Sequence, residues 1–385
     1  MLLPLPLGIR GTSLSSLSLA RRFKWGVCID NAWSFAGLDP PKSIVIPHAI
    51  NVRLPRGPYN IRMDPEIHKK AREEIGNGNP TSFSPEKTKK ILCQNLAREL
   101  KTSGVEFVRI WFQWNLFQES IQSGSEGQPF RFPLDDLVNA LCDAGVDILA
   151  VLGNGYYRFL PRGINVDNPK EYLKQLQEAS REIVRHHNGK IWMWQLENEP
   201  NWWLEHFASD WRRGGIWFEN GMVDSILSTL KSIVEDEDPK ALTMINLEAD
   251  TSKGSPAQFV KYCDVLGLDF YPNYSHSSPI NVSEIKTVSE AKKKAAGKPV
   301  MVAETGYPSG PKLFGYSEEN QVRYIKAVCE EAYSCDDIEG LGVWRLSDTY
   351  WLSFPFQENH FGLLNMQGYP KPAWFEYHDQ VKTLR

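Results

Sequence analysis

The sequence predicts a single (β/α)8 barrel over residues 23–385, and three observations carry that expectation. Eight short runs rich in Val, Ile and Phe recur along the chain. Each is followed by a turn and then by a longer segment of helical periodicity. The runs are apolar almost throughout rather than strictly alternating, as are strands of a parallel sheet covered by helices on one face and by its own interior on the other.

The predicted elements alternate in chain order. The first strand is 23–29 (FKWGVCI). A helix opens at Ser84-Pro85, carries Ile91, Leu92, Leu96 and Leu100 on one face, and stops at Gly104. A proline in the first turn and a glycine just past the last are the usual punctuation of a helix. Strand 105–112 (VEFVRIWF) precedes a helix from Leu134 to Ala144 that stops at Gly145. Strand 146–152 (VDILAVL) precedes a helix capped by Asn168-Pro169 and running to about His187. Strand 191–197 (IWMWQLE) leads to Asn220–Glu235, strand 242–248 (LTMINLE) to Ser255–Tyr262, and strand 264–271 (DVLGLDFY) to Asn281–Ala296. Strand 298–304 (KPVMVAE) leads to Ser317–Ser334, and strand 340–346 (GLGVWRL) to a last helix from Lys371 to Thr383. An open doubly wound sheet is the competing architecture, but no GxGxxG or GxxxxGK[ST] follows any strand.

One connection is out of scale. Ala32 to Phe83 separate the first strand from the first helix and are rich in Pro, Gly, Asn and Arg. Loops of that length tend to be functional, and in a barrel this one hangs over the strand C-termini.

Charge and composition narrow the function. With 43 Lys+Arg against 47 Asp+Glu the net charge is −4, which argues against a nucleic-acid-binding surface. No apolar run approaches the roughly 18 to 20 residues of a membrane span. The aromatic content is high, with 13 Trp, 14 Tyr and 18 Phe, and serves either a large core or platforms for flat ligands such as sugar rings. Residues 1–22 hold Arg10, Arg21 and Arg22 and no acid, a pattern of either a disordered leader or an organelle transit segment; the localisation stays open. The six cysteines form no metal or CxxC spacing and read as buried free thiols, with a Cys329–Cys335 bridge as an oxidised alternative. Asn273-Tyr-Ser and Asn281-Val-Ser are glycosylation sequons that matter only in a secreted chain. The acidic run Glu235 to Asp238 reads as a solvated helix end, and His186 and His187 as cations at a helix C-terminus rather than metal ligands.

Two carboxylates stand at predicted strand C-termini, Glu199 after the fourth strand and Glu304 at the end of the seventh. A charge closing an apolar strand is costly unless it faces the open end of the barrel. There the fourth and seventh strand ends oppose each other, so two Glu can flank one bond, the arrangement glycoside hydrolysis needs.

Asn198-Glu199-Pro200 together with Glu304-Thr-Gly-Tyr-Pro resembles the barrel glycoside hydrolases of clan A. VAETGYPSG (302–310) is similar to the nucleophile segments of endo-β-1,4-galactanases and plant-type endo-β-1,3-glucanases, and ENEPNWW (197–203) to the acid/base segments of β-xylosidase-like families. The resemblance implies a retaining β-glycosidase with Glu304 as nucleophile and Glu199 as acid/base, acting on a carbohydrate without metal or cofactor. It implies that Arg109, at the end of the second strand, keeps the nucleophile ionised, and that Asn198 binds the sugar 2-hydroxyl. It further implies that Tyr271 holds the nucleophile and that Trp344, in the eighth strand, floors the central subsite. Many clan members carry His near the third strand end; here the segment reads VLGNG, which leaves Asn154 as the candidate. Glu248 and Glu197 are further carboxylates in plausible mouth positions. A non-catalytic carbohydrate-binding barrel and a transglycosylase are the alternatives, and sugar, linkage and endo or exo action stay open.

Overall fold

The computed structural model describes residues 23–29, 43–46, 50–53, 85–118, 120, 130–153, 160–165, 168–201, 221–249, 256–348, 356–365 and 369–385. Eight parallel strands close into a barrel: β1 (Lys24–Ile29), β2 (Phe107–Trp111), β3 (Asp147–Val151), β4 (Met193–Asn198), β5 (Leu242–Glu248), β6 (Val265–Phe270), β7 (Val300–Thr305) and β8 (Ile338–Val343). They pair in chain order, and β8 returns to β1. Helices follow in turn: α1 (Pro85–Thr102), α2 (Asp135–Ala144), α3 (Pro169–His186), α4 (Met222–Glu237), α5 (Pro256–Phe259), α6 (Glu284–Ala296), α7 (Glu318–Tyr333) and α8 (Pro372–Leu384). The fold is a (β/α)8 barrel, as the alternation predicts. Within the long first loop, 43–46 and 50–53 pair as an antiparallel hairpin, an element the sequence reading did not anticipate.

The predicted punctuation operates where it was read. Asn168 caps α3 by accepting from the Glu171 N–H at 3.2 Å, with Pro169 in the first turn. Ser317 caps α7 through the Asn320 N–H at 3.1 Å. Gly145 ends α2 in the left-handed region at φ 68°.

The strands are apolar on both faces because both faces are covered. Outward side chains such as Val27, Ile110, Ile148, Leu247, Leu268 and Val302 pack under the helices. Inward ones, among them Phe107, Leu149, Met193, Met244 and Met301, fill the barrel itself. The filling is tight: a Cβ on Gly26 would lie 2.3 Å from the Phe107 ring, so only glycine lets that ring occupy the interior.

Several expectations are corrected. Cys142 is exposed rather than buried, and all six cysteines, Cys329 and Cys335 included, are free. The acidic run is no simple solvated end. Asp238 is buried and accepts from the Trp194 Nε1–H at 3.0 Å and the Gly189 N–H at 3.1 Å, while Glu237 pairs with Arg181 and Arg185 on α3. Asn273 is buried as well. Its amide donates to the carbonyls of His276 and Pro279 and accepts from the Asn281 N–H, so it knots the loop after β6 rather than offering a glycan site. No helix among the described residues is long and apolar enough to cross a membrane.

Candidate active site

The polar groups of the barrel converge on Arg109. It is the third residue of five-residue β2, inside the barrel rather than at the strand end, and it is fully buried. Its Nη1 lies 2.5 Å from Glu304 Oε1. Its Nε donates to Gln195 Oε1 at 2.7 Å, and its Nη2 to Asn198 Oδ1 at 2.7 Å. The Trp111 ring lies 5.6 Å from the guanidinium carbon. Burial works against the positive charge and the adjacent Glu304 carboxylate favours it; on balance the guanidinium is held even more firmly charged than usual.

Strand irregularities bring Asn198 and Glu304 to that guanidinium. Gln195 and Ala303 face inward, so period-two alternation sends Asn198 and Glu304 outward. Between Gln195 and Asn198, β4 advances three residues while β5 advances two, from Met244 to Asn246. Between Val302 and Glu304, β7 advances two while β6 advances one, from Leu268 to Asp269. Each extra residue is a bulge that re-aims the following side chain into the barrel.

Glu304 has both carboxylate oxygens engaged. Arg109 faces Oε1, and the Tyr271 hydroxyl donates to Oε2 at 2.8 Å. Tyr271 lies one residue past β6. Burial first, then the Glu304 charge, pushes its hydroxyl well above the ordinary tyrosine range, so it remains a donor. Its ring contacts Tyr274 and Phe361, which stack on each other with centroids 6.2 Å apart.

Glu199 stands just beyond β4 and is half-buried. It is the one non-glycine residue with positive φ among the described residues, at 47°. A left-handed glutamate costs about 1–3 kcal/mol and persists where its surroundings over-determine it. Here the Glu199 N–H donates to Asn246 Oδ1 at 3.2 Å, Pro200 opens a helical turn, and the Asn198 amide reaches Glu199 Oε2 at 3.4 Å.

The other predicted residues fall as follows. Trp344 follows β8 instead of lying in it. It is half-buried, its N–H donates to the Thr305 carbonyl at 2.7 Å, and its peptide bond to Arg345 is cis. Glu197 is fully buried and accepts from the Asn198 N–H at 2.9 Å, a structural contact beside the mouth. Glu248 ends β5 half-buried, its backbone clasped by the Asn201 side chain. Asn154 lies outside the described residues.

Three polar residues of the site escaped the sequence reading: Gln195, Asn246 and Asp269. Gln195 donates to Asn246 Oδ1 at 2.5 Å, and Asn246 donates to Asn198 Oδ1 at 3.0 Å and to Asp269 Oδ2 at 2.6 Å. A signal for them existed. Each is a polar side chain inside an otherwise apolar strand, which is expensive unless such groups meet one another.

No protein-family model and no curated protein matches the chain. Solved structures do. A variant GH5_18 protein from Streptomyces cattleya in complex with Manb1-4GlcNAc superposes with a TM-score of 0.64 at 17% identity, covering 77% of this chain and 76% of that one. GH5_18 from Bifidobacterium longum subsp. longum gives 0.61 at 16% identity, covering 76% and 73%. A family 39 glycoside hydrolase from Bacteroides cellulosilyticus gives 0.53 at 17%, covering 76% and 61%. At these identities the likeness is one of fold: the chain shares its barrel with glycoside hydrolases.

Proposed function

We propose that the chain is a retaining glycoside hydrolase that cleaves β-glycosidic bonds in an oligo- or polysaccharide. The observation that carries this reading is the clamp on Glu304. A guanidinium faces one oxygen and a phenol donates to the other, which fixes the orientation of the carboxylate. A nucleophile requires that fixed orientation. Glu199, half-buried just past β4 with the Asn198 amide 3.4 Å from its Oε2, suits the acid/base role.

In the first step a Glu304 oxygen attacks the anomeric carbon while Glu199 gives its proton to the departing glycosidic oxygen. In the second, Glu199 takes a proton from water, the water oxygen attacks the same carbon, and Glu304 leaves as carboxylate. Two inversions give net retention. Asn198, held by Arg109, presents its amide beside Glu199 Oε2, where a sugar 2-hydroxyl would be bound. Half-buried Trp344 and Tyr274, the latter backed by the buried Phe361 ring, supply the aromatic surface on which an apolar pyranose face stacks. The fold neighbours complexed with Manb1-4GlcNAc place β-mannosides among the first compounds to try.

The test is turnover of purified protein on defined β-linked gluco-, galacto-, manno- and xylo-oligosaccharides, with the product anomer followed by NMR from the first minutes. Release of the β-anomer supports the reading. Release of the α-anomer overturns retention, and no turnover on any of the panel overturns the hydrolase.

A further inference from the structure

Near the mouth of the barrel lies a further carboxyl that the mechanism above does not use. Asp269 lies on β6, in register with Glu248 on β5 and with Glu304 on β7. It is buried. Its Oδ2 accepts from Asn246 Nδ2 at 2.6 Å, and its Oδ1 has no hydrogen-bond partner among the described residues.

Asn246 joins this carboxyl to the mouth. The second hydrogen on its Nδ2 serves Asn198 Oδ1, and its Oδ1 accepts from Gln195 Nε2 and from the Glu199 backbone N–H. A carboxamide has two orientations that differ only by exchange of O and N. Reversed, Asn246 would set its NH2 against the NH2 of Gln195 and the N–H of Glu199, donor against donor. It would also turn its oxygen toward Asn198 Oδ1, which already accepts from Arg109, and toward Asp269. The observed orientation therefore depends on acceptors at Asn198 and Asp269.

We propose that Asp269 is a positioning residue: by accepting from Asn246 it fixes the amide that holds the Glu199 backbone in its left-handed conformation and the Asn198 carboxamide beside it. The proposal rests on the reading of Glu199 as acid/base and names what sets its geometry.

Charge bookkeeping favours a neutral carboxyl for this task. Arg109 is the one cation among the groups that act on Asp269, and it is paired with Glu304. Burial, then the charges of Glu304 and Glu199, push the Asp269 carboxyl well above the ordinary range, while Arg109 and the Asn246 hydrogen bond pull weakly the other way. Cys28 on β1 and Tyr271 after β6 also face it, both pushed up by burial and so uncharged. Asp269 thus keeps its proton and accepts through Oδ2, a role an asparagine oxygen can fill.

The experiment compares Asp269→Asn, Asp269→Leu, Asn246→Ala and the Asp269→Leu/Asn246→Ala double variant on the best substrate of the wild type. Asp269→Leu should lower kcat about 10- to 100-fold with KM little changed, and Asp269→Asn no more than about threefold with the pH profile of kcat retained. The double variant should lose no more than Asn246→Ala alone. Equal losses in Asp269→Asn and Asp269→Leu, additive losses in the double variant, or an effect confined to KM overturn the proposal. Should Asp269→Leu not fold, the Asp269→Asn profile and an Asp269→Ser variant, which shortens the acceptor, give the same comparison. If the wild type turns over no saccharide, the glycosidase reading fails separately. Crystal structures then decide the positioning: Asp269→Leu must turn the Asn246 amide or move Glu199 out of positive φ, and an unmoved pair overturns the role.

Discussion

Arg109 Nη1 and Glu304 Oε1 lie 2.5 Å apart, on β2 and β7, strands separated in the sheet by β8 and β1. The contact crosses the barrel interior rather than running along the sheet, with the guanidinium sealed from solvent and the carboxylate about one-tenth exposed. The same guanidinium holds Asn198 from β4 and Gln195 from β4. One side chain therefore sets the spacing between the two candidate catalytic strand ends.

Replacing that fork should be costly in two measurable ways. Arg109→Lys keeps the charge but puts all its donors on one nitrogen, which cannot reach the three acceptors spread around the guanidinium fork, and should lower kcat on the order of 10²-fold in steady-state kinetics. Arg109→Met leaves Glu304 buried without its cation and should lower stability by about 3–5 kcal/mol in urea unfolding.

The two glutamates should part by leaving group. Glu199→Gln should abolish turnover of natural saccharides yet spare aryl glycosides whose leaving group needs no proton. Equal loss on both refutes the acid role. Glu304→Ala should no longer be labelled by a 2-fluoro glycoside, read by intact-protein mass; a label elsewhere displaces Glu304 as nucleophile.

Gly306 controls where Trp344 sits. A Cβ there would lie 2.3 Å from the Trp344 carbonyl oxygen and 2.9 Å from the Phe361 ring. Backbone cannot yield as a flexible side chain does. Gly306→Ala should cost about 1–3 kcal/mol of stability in urea unfolding and, if Trp344 is the proposed sugar platform, raise KM more than it lowers kcat.

Lys371 at the start of α8 anchors the loops on that side. It pairs with buried Asp348 at 2.9 and 3.1 Å and donates to Ser309 Oγ. Burial pushes the Asp348 carboxyl up and the Lys371 amine down, against their mutual attraction. Lys371→Met should destabilise by about 3–5 kcal/mol, and Lys371→Met/Asp348→Leu should recover much of it, as measured by denaturant midpoints.

A pH effect is expected at Asp135. Burial raises its carboxyl, but hydrogen bonds from His187 and His186, and their charges, outweigh that and hold it below the ordinary aspartate range. Depression in the folded state means the stabilisation is present above the unfolded aspartate value and is lost as pH falls through the folded one. Asp135→Asn should therefore melt below the wild type near neutrality, and the gap should close on acidification. A gap that widens in acid would contradict the assignment.

The strand–helix order, most helix caps and the two Glu motifs were legible in the sequence because each depends on local chemistry. Apolar runs mark strands buried on both faces, and Asn168-Pro169, Ser317 and Gly145 mark helix ends. Strand limits were less legible. Trp344 and Tyr271 lie one residue outside their strands and Arg109 sits within its own, because hydrogen bonding between strands, not composition, ends a strand.

The sequence by itself determined the barrel and the positions of Glu199 and Glu304 at its mouth. Only the tertiary structure decided that Glu304 and Asn198 face inward, since bulges in β4 and β7 override the period-two rule. It also decided that Gln195, Asn246 and Asp269 meet beneath them. The physical reason is register. The alternation along one strand says which face a side chain takes, but the height at which it meets side chains of other strands is set by the stagger of the closed sheet. No single segment carries that stagger.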